Sequence, residues 1–121
     1  MKNLIKSVFI FLVLVAITNS VFANDGSTSG SITITSPMSD TVLQSATENK
    51  LEFKIQLSPS GNHVHVYIDE QDPIVFRNVS HCPCSIALPK LASGKHTLVI
   101  KEATSSHAMT GLEGKVIITV K

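Results

Sequence analysis

Uninterrupted alternation of apolar and polar residues constrains this chain more than any other feature of its sequence. From Lys50 to Leu57, Leu51, Phe53, Ile55 and Leu57 alternate with Glu52, Lys54 and Gln56. From His63 to Asp69, Val64, Val66 and Ile68 alternate with His63, His65 and Tyr67. A period of two places each set on its own face of a β-strand, so both segments read as strands with one buried side. Further runs of the same kind are Ser31–Thr35, with Ile32 and Ile34 inward, then Ile74–Arg77, Ser85–Leu88, Lys95–Ala103 and Lys115–Lys121. Asp40–Leu43 reads as a continuation of the first strand. Ser36-Pro37, Ser58-Pro59-Ser60-Gly61, Asp72-Pro73 and Pro89–Gly94 punctuate these runs, and Thr104–Gly114 reads as a polar loop. No segment sustains a helical face. Short strands at this spacing predict an all-β, antiparallel sandwich of about seven strands over residues 31–121.

The first 23 residues have a different character. Lys2 and Lys6 precede an apolar stretch from Val8 to Ile17, and Val21-Phe22-Ala23 supplies a cleavage site. This is the pattern of a secretory signal peptide cut after Ala23, and the apolar stretch is short for a bilayer span. Residues 24–30, rich in Gly, Ser and Thr, read as a flexible leader. The expected location is therefore outside the cytoplasm, periplasmic or secreted from a bacterium, with no membrane span after cleavage. Lys and Arg total 10 against 9 Asp and Glu, so no charge excess points to nucleic acid or an anionic membrane.

The residue types that carry chemistry are few. Two imidazoles at i and i+2, His63 and His65, share one strand face, a spacing that can clamp a metal ion. Cys82 and Cys84 are separated only by Pro83. A bridge between them closes a very small ring and adds little by loop closure, so the pair is either a labile disulfide or serves another role. In a sandwich with alternating connections, the turn before His63, the segment holding His81, Cys82 and Cys84, and the loop holding His107 and Met109 share one pole. His96 and Met38 fall at the other. The expected ligand set is therefore His63, His65, Cys82, Cys84, His107 and Met109, with His81 as a substitute. Imidazole, thiolate and thioether together suit copper(I) or zinc.

Catalytic patterns are lacking. The serines lie in turns without a nucleophile elbow, and no glycine-rich phosphate loop occurs. Asp69, Glu70 and Asp72 read as a solvated turn rather than a calcium loop. The chain is expected not to be an enzyme.

Ile34-Thr-Ser36-Pro37, the Val66-Tyr67-Ile68-Asp69 phrase and Leu88-Pro-Lys-Leu-Ala-Ser-Gly94-Lys-His96-Thr-Leu98 together resemble the bacterial immunoglobulin-like domains of small secreted and periplasmic proteins. The likeness covers about residues 31–121. It implies an immunoglobulin-like sandwich in which the phrase around Tyr67 is a central strand and the Leu88–Leu98 phrase forms a corner and the strand that follows. It implies no particular activity, since that fold hosts many. The chain has no Trp, and its cysteines cannot make the usual bridge between sheets. Two functions follow as expectations: an exported soft-metal binding protein, or an interaction module that binds another envelope or surface protein through an exposed sheet edge.

Overall fold

The computed structural model describes residues 30–121. The expected signal peptide and all of the leader except Gly30 lie outside the described residues. Eight strands run in order: β1 (Ser31–Ser36), β2 (Val42–Leu43), β3 (Lys50–Gln56), β4 (His63–Ile68), β5 (Ile74–Phe76), β6 (Cys84–Ala87), β7 (Gly94–Ala103) and β8 (Met109–Val120). They form a three-stranded sheet, β1-β3-β6, and a five-stranded sheet, β2-β8-β7-β4-β5. All pairings are antiparallel except that of β2 with β8. Among the described residues no helix is long and apolar enough to cross a membrane.

The alternation read from the sequence is what packs the two sheets. Leu51 and Phe53 of β3 meet Val64, Val66 and Ile68 of β4, Leu98 and Ile100 of β7, and Val116, Ile118 and Val120 of β8 in one core. Leu51, Phe53, Leu98, Ile100 and Ile118 are wholly buried, and each such side chain contributes about 1.5–3 kcal/mol. Phe53 meets Phe76 edge-on across the sheets, with ring centroids 5.5 Å apart.

Two boundaries differ from expectation. Val42–Leu43 does not continue β1. The chain leaves the first sheet at Ser36-Pro37, where proline has no N–H for a ladder, and β2 joins the other sheet beside β8. Asp40 N donates to Ile117 O at 2.8 Å and Lys121 N to Leu43 O at 2.9 Å, which fixes this switch. The last strand starts at Met109, not Lys115, because Met109 pairs with Ala103 through an irregularity between Lys101 and Ala103. Residues 109–114 are thus ladder, although their sequence is turn-like. The short β5 lies at the edge of its sheet, as its length suggested.

Candidate metal centre

His63, His65 and Tyr67 lie on the outer face of the five-stranded sheet, since Val64, Val66 and Ile68 take the inner one. Even so, His63 has no exposed surface and His65 retains 7%. The cover comes from two neighbours. One is the β7–β8 loop, a tight turn in which His107 N donates to Thr104 O at 2.9 Å and Ala108 N to Thr104 Oγ1 at 3.1 Å. His107 sits there at φ 72°, a left-handed conformation uncommon for a residue with a Cβ. The other is Arg77, just after β5. The pairings His65–Val75 and Val64–Phe76 place it level with His63 on the outer face.

The three imidazoles aim at one point. Nε2 of His63 and Nε2 of His65 are 3.1 Å apart, and Nδ1 of His107 is 3.2 Å from each. Zinc–nitrogen bonds of about 2.0–2.1 Å would put an ion about 0.9 Å above this triangle, with N–metal–N angles of about 100°, close to tetrahedral. Each outer nitrogen has a polar neighbour. Nδ1 of His63 donates to Asn62 Oδ1 at 2.8 Å, leaving Nε2 as the lone-pair nitrogen. Nδ1 of His65 is 3.5 Å from the Tyr67 hydroxyl, and Nε2 of His107 is 3.4 Å from an Arg77 Nη. Burial pushes the pKa of His63 down, helped by the charge of Arg77 and by the other two histidines. Burial likewise lowers that of His65, followed by His107 and Arg77. Both rings therefore stay neutral, the form that can bind a metal.

Behind the cluster, the wholly buried Glu102 ties the turn that leads into β4 to the start of β8 just after the His107 loop. Its carboxylate accepts from Ser58 N at 2.8 Å, Ser58 Oγ at 2.5 Å and Thr110 Oγ1 at 2.7 Å. Ser58 begins the turn into β4, and Thr110 follows the His107 loop. A Cβ at Gly61 would collide with this carboxylate, so the turn needs glycine there.

The other expected ligands lie elsewhere or at the margin. Cys82 and Cys84 are joined as a disulfide, and among the described residues no cysteine is free. Bonded sulfur offers no thiolate. Cys84 pairs with Phe53 and faces the core from the three-stranded sheet, whereas the histidines occupy the far side of the other sheet. The expected convergence of Cys82 and Cys84 with the histidines thus gives way to a pair on the opposite layer. His81 is exposed in a 3-10 turn, Val79–His81, outside the three-histidine group. Met109 is 42% exposed and opens β8 opposite Ala103, which itself pairs with His63. His96 lies at the opposite pole, between Asp69 and the Ala92 carbonyl. Sequence reasoning missed Asn62, Arg77 and Glu102. Only Glu102 left a signal: a carboxylate at the inward parity of Leu98 and Ile100.

A fibronectin(III)-like module of Clostridium thermocellum CbhA superposes with a TM-score of 0.57 at 19% identity, covering 74% of this chain and 95% of that one. The fold is an immunoglobulin-like sandwich. An extracellular domain from B. thetaiotaomicron superposes with a TM-score of 0.50 at 14% identity, covering 70% of this chain and 12% of that one. No family model and no curated protein matches the chain. At these identities the likeness speaks to the fold alone.

Proposed function

We propose that this protein is an exported, non-enzymatic module that binds one soft or borderline transition-metal ion, copper(I) or zinc, through His63, His65 and His107. One observation carries the reading: three imidazole nitrogens, two from strand β4 and one from the β7–β8 loop, meet within 3.2 Å of one another. An all-imidazole set suits zinc or copper, and three protein ligands leave one position open. Met109 is the candidate fourth ligand, and a thioether there favours copper(I). The secretory pattern of the first 23 residues supports the location.

The test is metal titration of the purified protein, with copper(I) kept reduced under argon. One ion per chain is expected for the wild type. His107→Gly should lose at least about tenfold in affinity. Glycine suits the left-handed backbone at this position, so the variant keeps its fold. Equal uptake by wild type and His107→Gly, or none by either, refutes the reading.

A second reading has its own observation. Val75, Met109 and Ile117 share the outer face of the five-stranded sheet and are 43%, 42% and 39% exposed. A partner protein from the envelope seated there would be retained by His107→Gly and lost on Ile117→Lys.

A further inference from the structure

Among the described residues Arg77 is the cation within hydrogen-bond reach of the three-histidine group, Lys101 beside His65 being turned over the Tyr67 ring, and the position of Arg77 conflicts with a bound ion. A guanidinium has donors and no acceptor. Its Nη lies 3.4 Å from Nε2 of His107, so that nitrogen accepts and the proton of the neutral ring sits on Nδ1. The remaining contacts then centre on one acceptor without an ion. Nδ1–H of His107 and Nε2–H of His65 share the single lone pair of His63 Nε2, and these two donors face each other at 3.2 Å. The Tyr67 hydroxyl donates to Nδ1 of His65, and Nδ1–H of His63 to Asn62 Oδ1. Among the described residues no buried side-chain nitrogen or oxygen is left without a partner.

A metal ion needs the lone pair of His107 Nδ1. The ring proton must then move to Nε2, where it meets the donors of Arg77. Metal-bound histidines ordinarily donate this outer N–H to a carboxylate or carbonyl. Here the outer partner is another donor, and it carries a positive charge. Both effects oppose binding. The charge effect is twice as large for a dication as for a monocation, a few-fold in affinity per unit of metal charge at this range.

We infer that Arg77 sets the affinity and the charge preference of the site, holding it weak and reversible for a divalent ion and favouring monovalent copper. This rests on the metal-binding reading above. Arg77 is a positioning residue: it acts through His107 and must swing out when an ion enters. It is exposed and lies beyond the last ladder residue of β5, so replacing it leaves the fold intact.

The experiment compares wild type, Arg77→Gln and Arg77→Lys by chelator competition, with zinc and separately with copper(I) under argon. Thermal unfolding of the metal-free proteins checks the fold. Arg77→Gln removes the charge and supplies an acceptor for Nε2–H. It should bind zinc at least about tenfold more tightly than wild type, and copper(I) more tightly by a smaller factor. Arg77→Lys keeps the charge and should stay within about threefold of wild type for zinc. An unchanged or weakened zinc affinity in Arg77→Gln overturns the inference while leaving the metal site standing. Equal gains for both metals overturn the charge preference. If neither wild type nor Arg77→Gln takes up either ion, the metal-binding reading falls and the inference falls with it.

Discussion

His96 and His107 show how differently one residue type is used at the two poles. His107 exposes its ring to two other imidazoles. His96 is held by an acceptor on each nitrogen: Nδ1 donates to Asp69 Oδ2 at 2.5 Å and Nε2 to Ala92 O at 2.6 Å. Two acceptors need two protons, so the ring is an imidazolium. The bond to Asp69 raises its pKa above the ordinary 6.5, with the Ala92 carbonyl assisting against burial. For Asp69, burial opposes ionisation, but the bonds from His96 and from Thr97 N–H prevail and lower its pKa below the ordinary 3.8. Stability from His96 is therefore complete below its unfolded value and is lost as pH rises through the raised folded value. That from Asp69 is present above its unfolded value and is lost as pH falls through the lowered folded one. Acid also charges the buried His63 and His65, so the alkaline side isolates His96. The melting temperature of the metal-free protein should fall as pH rises from about 6.5 through the raised folded value of His96, and His96→Gln should flatten that decline. An unaltered slope in the variant would remove the pair from the stability of this pole.

At the scale of strands and connections, Glu102 does what the hydrophobic core cannot. The core sets the distance between sheets; it does not set where the β3–β4 turn sits relative to the β7–β8 loop. Three hydrogen bonds to one buried carboxylate set that. Glu102→Ala removes the acceptor of Ser58 N and of two hydroxyls at half-buried positions, which should cost about 1–3 kcal/mol in denaturant unfolding. Metal affinity should drop as well, because the turn before β4 and the His107 loop lose their common anchor. A cost under about 1 kcal/mol would mean that water replaces the carboxylate without loss. The strands of this pole were legible in advance. The alternation of Val64, Val66 and Ile68 put His63 and His65 on one face, and the order of connections brought His107 beside them. The depth of the site was not legible. A period-two pattern assigns the histidines to a solvent face, and only the pairing of β5 with β4 brings Arg77 over them. The start of β8 was hidden for a related reason: residues 109–114 gain their ladder from β7, not from their own β-propensity.

For the molecule as a whole, the separation of two sheets by one core decides which chemistry belongs together. β5 and β6 are consecutive in sequence but lie in different sheets, joined by the 3-10 turn at Val79–His81. Sharing a pole therefore does not mean sharing a face. The turn carries Cys82 and Cys84 away from the histidines and sets the disulfide against β3 of the three-stranded sheet. With a sequence separation of only two, the bond constrains the unfolded chain little, about 1.5 kcal/mol at most by loop entropy. Reducing it should leave zinc and copper(I) stoichiometry at one, with each affinity within about twofold, and Cys82→Ser/Cys84→Ser should behave likewise. If the reduced protein instead took a second copper(I) ion that the double variant cannot hold, the sulfurs would form a site of their own on the opposite layer. If reduction sharpened binding at the first site, the two sheets would have to rearrange enough to bring thiolate to imidazole, and a rigid sandwich with its metal chemistry on one outer face would no longer describe the molecule.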